Sequence, residues 1–198
     1  LDIARYTAED PCAGLPEPEL IAKKVPPLSL YFPWTISAEQ AVSLAMQAEK
    51  AALAESKAIT NTEGASLAAS HGQFYAANTR GFLGGYPYSR HWLAVSPIAR
   101  AGEAMQRDDW STSDRDPAKL ADPEAVCRYA AQRALARLHA RKVPTQRVPV
   151  LFEAPLAAGL LGAFVQGVSG AALYRRSSFL LDSLGTQVFP KHIRIHED

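Results

Sequence analysis

The carboxylate of Glu153 has the sequence context of a candidate catalytic group. It follows a short apolar run, residues 148–152, and stands just before a helical pattern that starts at about Pro155. A desolvated carboxylate at such a junction can serve as a general base. It can equally stabilise the positive end of the helix dipole. The spacing favours the structural role, and both interpretations stay open.

Two arginines followed by two serines form a second candidate site, which consists of Arg175, Arg176, Ser177 and Ser178. Guanidinium and hydroxyl groups together can bind a phosphate or a carboxylate. The alternative is a loop that caps the start of a helix. We predict that these four residues and Glu153 contact a substrate or a partner, and we predict no catalytic residue in the chain.

No set of side chains has the spacing of a metal site. Zinc ligands on one helix usually stand four residues apart, and His192 and His196 have that spacing. The residues between them alternate as in a strand, which would separate the two rings by about 13 Å. The cysteines, Cys12 and Cys127, belong to no CxxC pair. The sequence therefore predicts no metal and no cofactor in this chain.

The glycines match no phosphate-binding motif. Gly81, Gly84 and Gly85 follow neither the GxGxxG nor the Walker A order. Their aromatic neighbours predict an ordered loop over residues 80–87. A GxSxG nucleophile motif is also absent from the sequence.

The composition is that of a globular protein. The chain has 198 residues, of which 47% are hydrophobic and 21% charged, and its formal net charge is +1. This charge predicts neither direct binding to nucleic acid nor attraction to an acidic membrane. The basic residues Arg137, Arg141 and Lys142 either compensate a helix end or form a nucleic-acid patch.

Several features predict a cytoplasmic location. The two cysteines are expected to be free thiols, which suit a reducing compartment. The start of the chain resembles no secretory signal, and no apolar run approaches the 18 or so residues that span a bilayer. Leu1 is not Met, and both ends resemble the interior of a sequence, so we expect a piece of a longer protein.

Local signals divide the first 143 residues into an arm, two helices and strands. Residues 1–36 are rich in proline and predict an extended arm, with a short helix near residues 18–23; a plain linker is the alternative. Ser37 and Gln40 have the spacing of a capping box, and Asp122 with Pro123 predicts the start of a helix over 123–140. Between the helices, we predict strands over 66–70, 73–77, 91–98 and 105–111, with turns at Glu63-Gly64, His71-Gly72 and Ala101-Gly102.

The remaining residues, 144–198, predict the first elements of a second unit. They comprise a strand over 148–152, a helix over 155–169 that ends with Gly170 at its C′ position, a helical turn over 179–184 and an extended segment over 187–195. The predicted fold class is α/β (α+β), an antiparallel β-meander flanked by helices and followed by the start of a second α/β domain.

Six segments together resemble the TldD/PmbA family, and within it the PmbA (TldE) branch. They are ITNTEGAS (59–66), GFLGGYP (81–87), MQRD (105–108), VLFEAP (150–155), GLLG (159–162) and YRRSSFLLDSLG (174–185). The resemblance implies that residues 37–143 are the latter part of an N-terminal α/β domain. It also implies that residues 144–198 begin a C-terminal domain.

The resemblance further implies an accessory role in a two-subunit peptidase. In that family the TldD subunit carries an HExxxH-type metal motif. The corresponding residues here, 152–158, keep the glutamate as Glu153 and have apolar residues at both histidine positions. The family reading therefore predicts a TldD-like, metal-bearing sister subunit as partner and unfolded peptides as substrates, as in peptide-antibiotic maturation or antitoxin breakdown. The meander is then a platform for extended substrates.

Two other functions stay open. One is an independent regulatory protein that binds DNA gyrase or another protein partner. The other is a hydrolase that uses a site without a known motif.

Overall fold

The computed structural model describes residues 2–8, 10 and 13–196. Pro11 of the proline-rich arm and Cys12, one of the two predicted thiols, lie outside the described residues. The chain divides into two compact units, Leu1–Lys142 and Val143–Asp198. The first unit opens with helix α1 (Asp2–Tyr6) and a 3-10 helix (Pro18–Leu20) within the predicted arm.

The centre of the first unit is an antiparallel sheet of four strands. The strands are β1 (Ile59–Ala77), β2 (Leu83–Ala101), β3 (Ala104–Arg107) and β4 (Trp110–Asp114). The long strand β2 pairs with β1 along one edge, and with β3 and then β4 along the other. Together with the flanking helices, this sheet confirms the predicted fold class.

The strand boundaries differ from those predicted. Residues 66–77 belong to one continuous strand, so the predicted turn at His71-Gly72 is wrong. Gly72 faces Tyr88 on β2, and a Cβ atom at residue 72 would lie 3.0 Å from the Tyr88 hydroxyl oxygen. This glycine therefore makes room for a cross-strand ring instead of forming a turn.

The turn predicted at Glu63-Gly64 and most of the loop predicted over residues 80–87 also lie within strands. The predicted turn at Glu63-Gly64 is a break in the register of β1, between Thr62 and Ala65. The predicted loop over 80–87 ends at Phe82, because β2 begins at Leu83. The predicted turn at Ala101-Gly102 is confirmed and joins β2 to β3.

Both predicted helix starts in the first unit are confirmed. Helix α2 (Ala38–Ala54) begins with a complete capping box, in which Ser37 and Gln40 satisfy each other's backbone amides. Helix α3 (Pro123–Ala136) is capped by Asp122, whose carboxylate accepts a hydrogen bond from the Ala125 amide at 2.8 Å. Helix α3 ends at Ala136, four residues before the predicted end.

The core lies between one face of the sheet and helices α2 and α3. Its buried members are mostly small on the helices and larger on the strands. They are Ala48, Ala52, Ile59, Leu93, Val95, Ala99, Val126, Cys127, Ala130, Ala131 and Ala134. The alanines allow both helices to pack closely on the β-branched and leucine side chains of the sheet.

The second unit is helical where it is regular. Helix α4 (Ala154–Gly167) and helix α5 (Gly170–Tyr174) follow each other with a short break. Gly170 starts α5, so its predicted role at the C′ position of the preceding helix is wrong. Residues 140–153 form neither helix nor strand, which overturns the strand predicted over 148–152. Residues 175–196 form turns and irregular chain in place of the helical turn and the extended strand predicted there.

Candidate functional site

Glu153 is the N-cap residue of helix α4. Its backbone carbonyl accepts hydrogen bonds from the amides of Leu156 and Ala157, both at 2.9 Å. Its carboxylate accepts no capping hydrogen bond, although the carboxylate lies beside the positive end of the helix. This position fits the structural interpretation of Glu153, and its predicted contact with a substrate or partner stays a prediction.

The segment of Arg175 to Ser178 closes helices α4 and α5. The Ser178 hydroxyl donates to the Gly167 carbonyl at 2.5 Å and accepts from the Leu180 amide at 2.9 Å. The Ser177 amide donates to the Ala172 carbonyl at 2.9 Å. The serines therefore satisfy helix-terminal groups. This is a capping role, although at helix ends and not at the start that the sequence suggested.

The two arginines of this segment are exposed. Arg175 is the C-cap of α5, and its Nε atom donates to the Ala171 carbonyl at 3.2 Å. Arg176 has a φ of 53°, in the left-handed region. Adjacent exposed guanidinium groups can bind a carboxylate or a phosphate. Their predicted contact with a substrate or partner stays a prediction.

The structure does not bring the five predicted residues into one site. Glu153 lies at the start of α4, and Ser178 is bonded to Gly167 at its end. A helix of 14 residues is about 21 Å long. Glu153 and the arginine-serine segment are therefore two separate features of the second unit.

Among residues 2–8, 10 and 13–196, no group of three His, Cys, Asp or Glu side chains could hold a metal ion. His192 and His196 lie in irregular chain, so the strand geometry predicted for them is wrong. Both side chains are exposed.

Sequence reasoning missed a buried polar pair on β2. Ser89 and His91 are both 0% exposed. The Ser89 hydroxyl accepts from the Phe32 amide and donates to the Arg115 carbonyl, each at 2.8 Å. The Ser89 amide donates to the Leu30 carbonyl at 2.9 Å. This pair therefore ties the arm, through residues 30–32, to the sheet and to the chain that follows β4.

His91 adds a second attachment for the arm. Its Nε2 atom lies 2.8 Å from the Phe32 carbonyl oxygen. Since a carbonyl only accepts, Nε2 is the protonated nitrogen. The ring packs edge-on against Trp34, with 5.5 Å between the ring centroids. Residues 30–34 are thus packed against the sheet, and the plain-linker alternative is wrong for this part of the arm.

A pattern in the sequence points to this pair. Ser89, His91, Leu93 and Val95 occupy alternate positions of β2, and all four are buried. Alternate residues of a strand point to the same face. The apolar members predict that the serine and the histidine also face inward, where each polar atom needs a partner.

The basic end of helix α3 is part of the fold. Arg133 and Arg137 lie 3.5 and 3.4 Å from the Asp108 carboxylate. Burial works against the ionised form of Asp108, but a hydrogen bond from the Asp109 amide and the two arginine charges hold the pKa of its carboxyl below the ordinary value. The Arg133 guanidinium also lies over the Trp110 ring, 4.8 Å from its centroid. Of the three basic residues singled out from the sequence, Arg137 is therefore paired within the fold, whereas Arg141 and Lys142 lie beyond the end of α3 and both interpretations stay open for them.

Cys127 is a free, buried thiol on helix α3. Burial raises its pKa to about 11, and the charges of Glu49 and Asp122 act in the same direction. A thiol with so high a pKa is a weak nucleophile at neutral pH.

Within the described part of the chain, no helix is long and apolar enough to cross a bilayer.

Two models of one protein family match the chain. Residues 31–138 match the PmbA/TldA metallopeptidase central domain, and residues 145–198 match the PmbA/TldA metallopeptidase C-terminal domain. A solved structure of a Thermotoga maritima protein, described as a proposed modulator of a DNA gyrase, aligns with a TM-score of 0.76 at 21% identity. The alignment covers 84% of this chain and 39% of that chain, and it shows a shared fold.

Curated relatives match the chain over its full length. It is 44% identical to the "Metalloprotease PmbA" of Escherichia coli O157:H7 and 40% identical to a "Metalloprotease PmbA homolog" of Haemophilus influenzae, each over 197 residues. The chain spans 44% of the length of each of these relatives. These matches confirm the family resemblance: the chain belongs to the PmbA/TldA metallopeptidase family.

Proposed function

We propose that this chain belongs to the accessory, metal-free subunit of a two-subunit peptidase. A TldD-like sister subunit holds the metal, and unfolded peptides are the substrates, as in peptide-antibiotic maturation or antitoxin degradation. The observation that carries the proposal is the composition of the first turns of α4. Residues 152–158, which lead into α4, have apolar side chains at both positions where the family resemblance expects metal-binding histidines.

The start of α4 offers one metal ligand at most. Glu153 precedes the helix, and the next five residues, 154–158, are Ala, Pro, Leu, Ala and Ala. None of those five side chains carries a ligand atom. A hydrolytic zinc site uses three protein ligands and leaves one position for water. A single carboxylate does not meet that requirement, which supports a subunit that relies on a partner for its metal.

The curated relatives are named metalloproteases. Under this proposal, the activity belongs to the assembled complex, and the subunit represented here shapes or closes the chamber where peptides are cut. In the described part of the chain, the outer edge of β1 pairs with no other strand, and an extended peptide can add to such an edge by main-chain hydrogen bonds. Exposed Arg175 and Arg176 are candidates for contact with the substrate or the sister subunit. The free thiol of Cys127 is consistent with a cytoplasmic location.

The second candidate is a regulatory protein that binds DNA gyrase. The description of the Thermotoga maritima structure favours it. The structure gives little support to a direct DNA contact, because Arg137 is paired with Asp108 and the formal net charge is only +1. Binding to the gyrase protein itself would not need a basic surface.

The two candidates differ in a peptidase assay. The longer protein that contains this chain is purified and mixed with its TldD-like sister, and cleavage of an unfolded peptide is followed with and without a chelator. The proposal predicts cleavage only in the mixture, and complete loss with the chelator. Glu153→Gln serves as the matched variant, and the metal content of the mixture should be the same with it. Chelator-sensitive cleavage by the protein alone would overturn the proposal.

A further inference from the structure

His91 is a titratable side chain that the proposed function does not use. It is 0% exposed and lies between β2 and residues 30–34 of the arm. Its Nε2 atom donates to the Phe32 carbonyl oxygen, and its ring packs on Trp34. Its Nδ1 atom is buried and has no hydrogen-bond partner among the described residues. Because Nδ1 is sealed, no group from outside reaches it while the arm is docked.

The docked segment of the arm is extended and lies with one side on the sheet. Residues 30, 32, 34 and 36 are half-buried, and residues 31, 33 and 35 are exposed, which is the alternation of a strand. Ser29 precedes the segment and has a φ of 49°, in the left-handed region that is strained for a residue other than glycine. The contacts at Ser89 and His91 therefore hold the arm against local backbone strain, which its release would relieve.

The charges near His91 do not favour a second proton on its ring. The ionisable side chains on the arm, on the strands that flank the ring and just after β4 are Tyr31, His71, Arg90, Asp114, Arg115 and Lys119. Asp114 lies opposite His91 in the register, but its carboxylate accepts a backbone amide at 2.9 Å and interacts with Lys119 and Arg90. Lys119 lies 6.0 Å from the centroid of the Phe32 ring, where its positive charge opposes another. Residues 30–36 carry no charged side chain.

We infer that residues 30–34 form a proton-sensitive latch, which is docked on the sheet while His91 is neutral and released when its ring takes up a second proton. That proton adds an N–H donor at Nδ1. In the docked state the new donor and its charge would be buried without an acceptor, which is costly. Departure of the arm uncovers the ring and removes this cost.

The sign of the pH dependence follows from this coupling. An exposed imidazole takes up a proton near about pH 6.5. Docking of the arm is therefore fully favoured above that pH and weakens as the pH falls below it. The inference concerns the arm and the sheet alone, and it does not rest on the proposed peptidase role.

Hydrogen exchange at the Phe32 amide, in the longer protein that contains this chain, tests the latch. This amide donates to the Ser89 hydroxyl at 2.8 Å. Its protection, corrected for the intrinsic exchange rate at each pH, should fall about tenfold between pH 7.5 and pH 5.5, because release takes up one proton. The Arg100 amide, which donates to the Ala58 carbonyl at the other end of β2, should keep its protection.

Two glutamine variants identify the histidine responsible. His91→Gln keeps an amide donor that can reach the Phe32 carbonyl, but this side chain does not titrate, so the protection of the Phe32 amide should no longer depend on pH. His71→Gln is the matched control. His71 is exposed, and its ring centroid lies 6.2 Å from that of Tyr31 on the arm. This variant should keep the full pH dependence.

Equal protection of the Phe32 amide at both pH values would overturn the inference. A pH dependence that persists in His91→Gln, or that disappears in His71→Gln, would also overturn it. If His91→Gln fails to fold, NMR of the isotope-labelled His91 ring in the unmodified protein decides the question. The docked state must keep this ring neutral at the lower pH, and an imidazolium ring beside a protected Phe32 amide would contradict the latch.

Discussion

Substitution of Ser89 by alanine should loosen the arm from the sheet. The hydroxyl accepts a hydrogen bond from the Phe32 amide and donates one to the Arg115 carbonyl, both at 2.8 Å, and it makes a longer contact of 3.4 Å with the Leu30 carbonyl oxygen. Ser89→Ala leaves both backbone groups without this partner beside a fully buried position. At about 1 kcal/mol for each bond, the loss in the free energy of unfolding is about 2 kcal/mol.

Urea unfolding followed by tryptophan fluorescence measures this loss. The three tryptophans, Trp34, Trp92 and Trp110, all lie in the first unit, so the signal is specific to it. With a typical slope for a domain of this size, a change of 2 kcal/mol lowers the midpoint by about 1 M urea. Hydrogen exchange at the Phe32 amide should also become faster.

Ser113→Ala is the matched control for Ser89→Ala. Its hydroxyl donates one hydrogen bond, to the His91 carbonyl at 3.0 Å, from an exposed position. We expect a loss of about 1 kcal/mol or less. Equal midpoints for Ser89→Ala and the unmodified chain, with an unchanged Phe32 exchange rate, would refute the docking of the arm through Ser89.

Three further predictions concern the first unit. Asp108→Asn should make the free energy of unfolding less sensitive to low pH. The pKa of the Asp108 carboxyl lies below its ordinary value of 3.8. Its ionised form therefore adds stability that is complete at neutral pH and is lost as the pH falls through the pKa of the folded state. Urea midpoints between about pH 5 and pH 3 check this, and parallel curves for both proteins would contradict it. Burial raises the pKa of the Cys127 thiol to about 11, so this thiol should react with iodoacetamide at pH 8 far more slowly in the native chain than in urea. Peptide mass mapping measures both rates. Equal rates would contradict the burial of Cys127. Gly85→Ala places a Cβ atom 2.3 Å from the Phe74 carbonyl oxygen and should cost about 1–3 kcal/mol, whereas Gly14→Ala, with no atom within 4 Å, should leave the urea midpoint almost unchanged.

Local signals in the sequence predicted helix starts well. The Ser37–Gln40 capping box and the Asp122 cap involve neighbours within three residues, so the spacing alone defines them. The same reasoning failed at Gly72, where a local turn signal was overruled by the Tyr88 ring on the next strand. Cross-strand packing of this kind depends on register, which a local pattern does not contain.

The strand predicted over 148–152 failed for a related reason. An apolar run predicts burial, but a strand also needs a neighbour for its backbone groups. The segment of residues 148–151 is exposed and irregular.

The residues that hold the arm against the sheet were also not predicted from the sequence. Ser89 and His91 meet Leu30 and Phe32 only after folding, across nearly sixty positions of sequence. Alternation on β2 predicts that both face inward, but it does not identify their partners.

The sequence singled out two candidate features of the second unit, and their predicted contact with a substrate or partner stays a prediction. The sequence correctly singled out Glu153 as a residue just before a helix. It gave the arginine-serine segment as a second candidate, and helix α4 separates that segment from Glu153. The capping bonds of Ser178 depend on the return of the chain to Gly167, eleven residues earlier.

The most direct test of the proposed function is the chelator-sensitive cleavage of an unfolded peptide by the longer protein, measured with and without its TldD-like sister subunit. An accessory, metal-free subunit predicts no cleavage and no bound zinc in the protein alone, and cleavage that a chelator abolishes in the mixture. Bound zinc with chelator-sensitive cleavage in the protein alone would contradict it.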